Sequence, residues 1–256
     1  MNSGANARRI LIAGGTSGIG LACALRFAES RARIVVSGRG RERGEAACRT
    51  VRAKHPDADI SFVSADLTSR SGVASLYAAA IERLGGPLDA LVNSAGGEFV
   101  PTLFHEIDLD TIDAVLRLWL TATIYSCRLA LPHLADGASI VNVASDAAKV
   151  PTPGEAVIGA AMAGVAMFSR TLAMEAKRRK IRVNVVTPSL VQNTMTHERI
   201  MSTEFSAKLF GKAIKAAHLG LCDPDDVAAL IEFLSSAGAS KITGQVVSVN
   251  SGVSAG

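Results

Sequence analysis

The sequence is poor in aromatic residues and in cysteine, and each shortage excludes a class of structure. Phenylalanine, tryptophan and tyrosine make up only 4% of the 256 residues, so we expect a core of aliphatic side chains. The four cysteines, Cys23, Cys48, Cys127 and Cys222, are far apart and form no CxxC pair. This spacing argues against a zinc site and is typical of a reducing compartment. A chain of this length buries a full core without disulfides or metals.

We expect neither a targeting segment nor a membrane-spanning segment in the sequence. The apolar run that follows Arg8 and Arg9 is too short for a secretory signal. We expect no segment with the roughly 20 apolar residues that span a bilayer. The basic residues that give the net charge of +4 are scattered along the sequence. Their densest cluster, RGRERG at 39–44, is broken by glycine. We therefore expect a cytoplasmic protein that binds neither nucleic acid nor membrane.

Short runs rich in β-branched residues alternate with longer helical patterns. The strand candidates lie at 8–14, 32–38, 59–65, 88–94, 138–145, 181–187 and 245–250. The helical patterns lie at 18–30, 41–54, 71–84, 106–134, 155–179, 196–218 and 224–236. Strands that are apolar on both faces are typical of a parallel sheet covered on two sides. The alternation predicts an α/β fold with a doubly wound, seven-stranded parallel sheet and helices on both faces.

A glycine-rich turn follows the first strand. Gly14, Gly18 and Gly20 are spaced as GxxxGxG before a helix, and glycine allows both a tight turn and close approach of a phosphate. The helix N-terminus then offers free N–H groups to an anion. Asp66 follows the third strand and Asn93 ends the fourth, at the edge where doubly wound sheets bind ligands. Each feature alone has an ordinary explanation, because Asp66 is also a favoured helix cap.

Several motifs occur together in the order found in one enzyme family. They are GGTSGIG, ADL, NSAG, SIVNVAS, IRVNVVTPS, VQNT and GQVVSVNSG, and they cover nearly the whole chain. The sequence resembles the short-chain dehydrogenase/reductase family in its compact, single-domain form. The resemblance implies one Rossmann-like domain over residues 1–256, with a variable substrate lid at about 190–220. It also implies oxidoreductase activity with a nicotinamide dinucleotide.

The resemblance implies a set of residues that contact the dinucleotide, grouped by the part of the cofactor that each meets. The phosphate and ribose group is Gly14, Ser17, Gly18, Ile19 and Gly20, and the adenine group is Asp66 and Leu67. The group beneath the adenosine ribose is Asn93, Ala95 and Gly96, and the group around the nicotinamide amide is Pro188, Val191 and Thr194.

The charge at the end of the second strand favours NADP(H) over NAD(H). Folds that prefer NAD place a carboxylate there for the ribose 2′-hydroxyl, whereas an arginine accommodates a 2′-phosphate. Position 38 is Gly38, the next acidic residue is Glu42, and Arg39 and Arg41 are nearby. The alternative is that both arginines are solvated loop charges.

Three of the four catalytic side chains of the family are missing. The resemblance implies a serine that holds the substrate oxygen, a tyrosine that transfers the proton, a lysine four residues later and an asparagine in the preceding helix. Ser145 matches the serine, but the family's spacing leads to Ile158 for the tyrosine and Met162 for the lysine. YxxxK has become IGAAM, and Trp119 occupies the asparagine position. Acid–base chemistry tuned by a neighbouring cation is therefore lost from these positions.

No shift of the alignment restores the missing pair. The two tyrosines, Tyr77 and Tyr125, lie outside the helix that follows Ser145, and that helix has no lysine before Lys177. A buried lysine without its partners costs several kcal/mol of desolvation, so replacing the whole polar cluster is physically consistent. We expect Trp119 to pack against the two apolar replacements.

Other charged residues flank the expected cleft and lid. Lys149 and Glu155 are alternative proton donors, unless they are solvated loop charges. Lys208, Lys212 and Lys215 fall on one face of the lid helix, either as a solvated face or as a contact for an acidic carrier.

Three functions stay open on this evidence. The first is an NADP(H)-dependent oxidoreductase of nonstandard mechanism that acts on an unidentified small molecule. The second is a catalytically silent dinucleotide-binding or partner subunit, and the third is a non-redox lyase or cyclase. The resemblance also implies a homo-oligomer, either a dimer or a tetramer, through helices 106–134 and 155–179.

Overall fold

Seven parallel strands form the centre of the part of the chain that the structure describes. The computed structural model describes residues 7–255. The strands are β1 (Arg9–Ala13), β2 (Arg33–Gly38), β3 (Ile60–Ser64), β4 (Leu88–Asn93), β5 (Leu134–Val143), β6 (Arg182–Pro188) and β7 (Val246–Val249). Their order in the sheet is β3-β2-β1-β4-β5-β6-β7. The predicted doubly wound sheet is confirmed.

Helices cover both faces of this sheet. They are α1 (Gly18–Glu29), α2 (Arg41–Lys54), α3 (Arg70–Leu84), α4 (Leu109–Val115), α5 (Ala122–Ala130), α6 (Ala156–Ala176), α7 (Met195–Met201), α8 (Glu204–Ala216) and α9 (Pro224–Ser235). A π-helical segment, Leu116–Thr121, joins α4 to α5. One aliphatic core lies between the sheet and α3, α5 and α6, and a second lies between the sheet and α1, α2 and α9.

Two of the predicted helices differ from those observed. The helix predicted at 106–134 begins only at Leu109, because the Asp108 carboxylate accepts a hydrogen bond from Thr111 N at 2.7 Å and caps it there. The helix predicted at 196–218 is two helices, α7 and α8. Helix α7 ends at Met201, and Thr203, whose backbone is extended, is the N-cap residue of α8. We call α7 and α8, residues 195–216, the lid.

Two helical stretches are long and apolar enough to cross a membrane, by length and composition alone. They are Leu109–His133 and Ala156–Arg179, so the expectation that no segment reaches this length is wrong. Both stretches contribute buried residues to the core between the sheet and its helices. Helices that cover a sheet in this way are apolar on the side that faces it.

A chain of buried polar groups ties three helices and two strands together beneath the carboxyl edge. Ser126 on α5 donates to Asn93 Oδ1 at 2.6 Å, and the Tyr77 hydroxyl on α3 lies 2.8 Å from Ser126 Oγ. Asn93 Nδ2 donates to Asn142 Oδ1 at 2.8 Å, and Asn142 Nδ2 donates to Ser169 Oγ on α6 at 2.9 Å. Burial raises the pKa of the Tyr77 hydroxyl, which therefore keeps its proton as a donor.

Removing the hydroxyl at the middle of this chain is expected to destabilise the fold. Ser126→Ala leaves Asn93 Oδ1 and the Tyr77 hydroxyl without their partner, which costs about 1 to 3 kcal/mol of unfolding free energy. Ser240→Ala is the matched control, because Ser240 is exposed, and its effect is within about 0.5 kcal/mol. Denaturant titration measures both variants, and equal midpoints for the two would contradict the account.

Candidate active site

A cavity of about 520 Å³ lies at the carboxyl ends of the strands. Its wall includes the loops that follow β1, β2, β3, β4, β5 and β6, together with the lid. The strand order reverses between β1 and β4, and a doubly wound sheet opens its ligand crevice at such a point.

The turn after β1 is a cradle that only glycine can build. Gly14 has a φ of 89°, and a Cβ there would lie 2.5 Å from Ala95 N. A Cβ on Gly20 would lie 2.2 Å from Gly14 O. Ser17 is the N-cap residue of α1, yet its side chain makes no capping hydrogen bond. The first N–H groups of α1 and the Ser17 hydroxyl are thus available to a phosphate, which fits a dinucleotide.

The loop after β2 presents two arginines to the cavity. Arg39 and Arg43 line it, whereas Arg41 lies off the wall with its guanidinium 3.9 Å from Glu45. Arg43, and not Arg41 as expected, therefore accompanies Arg39 at the cavity. Helix α2 begins at Arg41. Residues two positions apart in a helix point about 200° apart around its axis, so residues 41 and 43 face different sides.

The end of β2 has little room for a carboxylate. A Cβ on Gly38 would lie 2.9 Å from Thr16 Cγ2, so an acidic side chain there would displace Thr16. The nearby carboxylate on the wall is Asp66, which accepts hydrogen bonds from Thr68 N at 2.9 Å and Thr68 Oγ1 at 2.7 Å. These bonds, aided by the charge of Arg39, lower the pKa of Asp66 and hold it as an anion.

Most residues of the predicted site come together in this one cavity. Asn93 and Gly20 do not line it: Asn93 is committed to the buried polar chain, and Gly20 packs behind the turn. Those that line it are Gly14, Ser17, Gly18, Ile19, Arg39, Asp66, Leu67, Ala95, Gly96, Trp119, Ser145, Ile158, Met162, Pro188, Val191 and Thr194.

Apolar side chains stand at the three substituted positions. Ile158 and Met162 are 8% and 6% exposed, and Trp119 packs against the same cluster. The Trp119 ring also meets Phe99 edge to face, with the ring centroids 5.5 Å apart. We call Trp119, Ile158 and Met162 the apolar patch.

Ser145 keeps a free proton beside the apolar patch. Its Oγ accepts a hydrogen bond from Ala147 N at 3.2 Å, and it lines the cavity. A hydroxyl that accepts at its lone pair still has its hydrogen to donate. Neither tyrosine substitutes for the missing one, because Tyr77 is buried with Ser126 and Tyr125 lies 3.2 Å from Arg70 Nε.

The carboxylate next to Ser145 holds the end of the chain. Asp146 Oδ2 accepts hydrogen bonds from Asn250 Nδ2 and Ser254 Oγ, both at 2.6 Å. Asp146 Oδ1 accepts one from Ser248 Oγ at 3.2 Å, and Lys149 Nζ donates to the same serine. Asp146 thereby accepts three hydrogen bonds, and Lys149 is engaged away from the cavity wall.

Glu155 is the other acidic group near the apolar patch. It is the N-cap residue of α6, its backbone oxygen accepts from Gly159 N at 2.6 Å, and its side chain lines the cavity. Burial raises the pKa of Glu155 to about 7. This value already includes two smaller effects: hydrogen bonding to Thr152 lowers the pKa, and the charge of Asp146 raises it.

The lid closes the cavity on the substrate side. Arg199 Nη2 lies 3.4 Å from Glu98 Oε1, which joins α7 to the loop after β4. Ser206 is fully buried and its hydroxyl donates to Pro101 O at 3.2 Å, which fastens α8 to the same loop. The lid residues in the wall are mostly apolar: Met195, Ile200, Leu209, Phe210 and Ala213. The lysines of α8 are exposed and lie outside the cavity wall.

Returning the lysine alone is expected to harm the fold. Met162→Lys places an ammonium among apolar side chains without its tyrosine, and we expect it to lower the unfolding free energy by about 1 to 3 kcal/mol at neutral pH. The loss shrinks at high pH, where the amine is neutral. Met162→Leu, which conserves volume, costs less than about 1.5 kcal/mol. Equal stability of the two variants by denaturant titration would refute this interpretation.

Glu155 is expected to make stability depend on pH. Since its pKa in the folded protein is above the ordinary 4.5, the folded protein keeps a proton that the unfolded chain releases. The stabilisation that comes from this proton is complete below pH 4.5. As the pH rises to about 7, the unfolding free energy falls by about 1 to 3 kcal/mol, a figure reduced for solvent screening. Glu155→Gln removes this decline. A decline of equal size in the wild type and the variant would exclude Glu155 as its source.

Comparisons with known proteins agree on one family. A family model described as enoyl-(acyl carrier protein) reductase matches residues 13–254. The 3-oxoacyl-[acyl-carrier-protein] reductase of Chlamydia pneumoniae is 30% identical over 248 residues, which cover 96% of each chain. The 3beta-hydroxysteroid dehydrogenase 1 of Eggerthella lenta is 32% identical over 250 residues, which cover 96% of this chain and 93% of that one.

Solved structures show the same relationship. Levodione reductase superposes with a TM-score of 0.90 at 27% identity and covers 96% of each chain. A short-chain dehydrogenase/reductase of the glucose/ribitol dehydrogenase type from Brucella melitensis superposes with a TM-score of 0.87 at 30% identity and covers 97% of each chain. With its glycine cradle at the β1–β4 crevice, the chain belongs to the short-chain dehydrogenase/reductase family, whose members are oxidoreductases that bind nicotinamide dinucleotides.

Proposed function

We propose that this protein is an NADP(H)-dependent oxidoreductase that reduces a carbonyl or enone group of an apolar substrate without the family's tyrosine and lysine. The observation that carries the proposal is one continuous cavity. A complete glycine cradle lines one part of it, and the apolar patch and Ser145 line another. Loss of the tyrosine and lysine has therefore left both a cofactor cradle and space for a substrate.

The cradle assigns the cofactor's parts to residues of this chain. The turn with Gly14 and the first N–H groups of α1 would hold the diphosphate, and Asp66 would lie near the adenine. Arg39 and Arg43 would bind the 2′-phosphate of NADP(H), since both line the cavity and a carboxylate of the kind that favours NAD would have to displace Thr16 at position 38.

The reaction divides between the cofactor and the protein. When bound, the nicotinamide gives up or takes back a hydride. Ser145 donates its hydroxyl proton in a hydrogen bond to the substrate oxygen and so polarises the carbonyl. The apolar patch packs against the substrate and holds its reactive carbon in one place, and such positioning supplies a large part of a hydride-transfer rate.

The wall of the substrate compartment favours a neutral, apolar molecule. Phe99, Leu118 and the lid side chains Ile200, Leu209 and Phe210 line it. Its lid arginine, Arg199, is already paired with Glu98. Relatives named for a hydroxysteroid and for levodione support an apolar substrate, and relatives named for acyl carrier protein support a carrier-bound acyl group as the second candidate.

We further propose a cytoplasmic homo-oligomer, a dimer or tetramer, built through the helices at 109–133 and 156–179. The outer face of α6 supports this assembly: Met167 and Met174 are each 59% exposed. Small residues lie between them and the start of the helix on the same face, namely Ala156, Ala160 and Ala163, which allow close helix packing. The exposed Arg170 lies between the two methionines, so the face is mostly apolar with one charge, a composition that interfaces often have.

Cofactor preference is expected to depend on Arg39 and Arg43. Calorimetric titration of the wild type should show tighter binding of NADPH than of NADH. Arg39→Ala and Arg43→Ala should each weaken NADPH binding at least about tenfold, because each removes a charged hydrogen bond to the 2′-phosphate, and should leave NADH binding unchanged.

Arg41→Ala is the matched control, since Arg41 lies on the same helix but off the cavity wall. It should bind NADPH like the wild type. Equal losses in all three variants would mean that only the general positive charge matters. Tighter binding of NADH by the wild type would overturn the preference for NADP(H).

A further inference from the structure

Resting on the proposed oxidoreductase activity, we propose that Glu155 is the proton donor of the reduction and the proton acceptor of the reverse reaction. It would thus take over the role that the family's tyrosine has lost. The proposal identifies a catalytic residue at a position where the family pattern has none.

The position of Glu155 is the first reason. It is the N-cap residue of α6, just outside the helix itself, and it precedes Ile158, the site of the missing tyrosine, by three residues, which is less than one helical turn. Both side chains line the cavity that also contains Ser145 and the apolar patch. The Gly159 N–H bond to Glu155 O at 2.6 Å holds the residue at the start of α6.

The protonation state of Glu155 is the second reason. A general acid works best when its pKa lies near the working pH, and burial brings the pKa of Glu155 to about 7. The charged groups on the surrounding elements are Asp146 after β5, Glu98 after β4, and His197 and Arg199 on α7. Two of these are carboxylates, and Arg199 is paired with Glu98, so little positive charge is left to ionise Glu155.

The other proton-bearing groups of the wall are less suited to the task. Asp146 already accepts hydrogen bonds from Asn250, Ser254 and Ser248, which stabilise its charged form. Glu98 is paired with Arg199 at the mouth of the cavity. His197 is the remaining competitor. His197 lies on the lid, whereas Ile158 and Met162 lie on α6. The experiment therefore includes a variant of His197.

The proposed step balances as follows in the direction of reduction. The carbonyl carbon of the substrate receives the hydride that NADPH loses as it becomes NADP⁺. The π-electron pair of the C=O bond moves to the oxygen, which takes the proton from the Glu155 carboxyl group. The products are an alcohol and the Glu155 carboxylate, and solvent returns a proton to the carboxylate before the next turnover.

The first test compares hydride transfer in matched variants. NADPH oxidation is followed with the neutral cyclic ketones decalone, menthone and cyclohexenone in the wild type, Glu155→Gln, Glu155→Asp and His197→Gln. We expect Glu155→Gln to lower the rate by about 10² to 10⁴-fold and Glu155→Asp to recover part of it. The wild-type rate should fall above pH 7, and that fall should vanish in Glu155→Gln. Glu82→Gln, an exposed change on α3, should behave like the wild type.

The second test observes the carboxyl group without any turnover. Infrared difference spectra of the full-length protein between pH 5 and pH 9 should show one protonated carboxyl band with a midpoint near 7. That band should be absent from Glu155→Gln and present in His197→Gln and Glu82→Gln. A band that is unchanged in Glu155→Gln would overturn the proposal.

The outcomes separate this proposal from the function on which it rests. A wild type that oxidises no NADPH with any of the three ketones overturns the proposed function and the role of Glu155 with it. Turnover that persists undiminished in Glu155→Gln overturns the role of Glu155 alone. A large loss in His197→Gln, together with loss of the pH dependence, assigns the proton to the lid instead.

Discussion

The close backbone contact between the turn after β1 and the loop after β4 is the constraint on which the site depends. Gly14 lies so near Ala95 that a single Cβ would close the gap, and Gly20 lies as near to Gly14. This contact leaves the N-terminus of α1 open toward the crevice. Below it, the hydrogen bond between Asn93 and Asn142 joins β4 to β5 on one side of the crevice.

The apolar patch and the raised pKa of the Glu155 carboxyl group are related features of the cavity. A tyrosine–lysine pair needs water and a charged partner, and the patch supplies neither. The same apolar surroundings penalise a nearby carboxylate, so burial that excludes a lysine also raises the pKa of Glu155. We propose that the loss of the family's acid and the raised pKa of Glu155 share one physical cause, which is burial in this part of the cavity.

Much of the fold, and the residues that come together in the candidate site, could be predicted from the sequence. The alternation of apolar strands and helices predicted the sheet, and the glycine spacing predicted the cradle at Gly14. Local pattern was less informative where it depended on helix phase: Arg43 faces the cavity rather than Arg41, because α2 begins at residue 41. Which of the two arginines faces the cavity can be predicted once the first residue of the helix is known.

Other features depend on contacts between distant segments and leave no local signal. Asn93 belongs to a buried chain that includes Ser126 and Asn142, which are far from it in sequence. Glu155 lines a cavity whose wall also includes the lid, which comes much later in the chain. Lys149 looked equally suited to proton transfer in the sequence, and only its bond to Ser248, a residue of the last strand, removes it from the site.

The most direct test of the central claim is the fate of a labelled hydride. The protein is incubated with NADPH carrying deuterium at the transferable position and with neutral cyclic ketones, and the products are analysed by mass spectrometry. Our account predicts an alcohol with one deuterium on the former carbonyl carbon and a matching amount of NADP⁺. Bound NADPH that stays intact, or a product without deuterium, would contradict it and indicate a silent dinucleotide-binding protein or a non-redox enzyme.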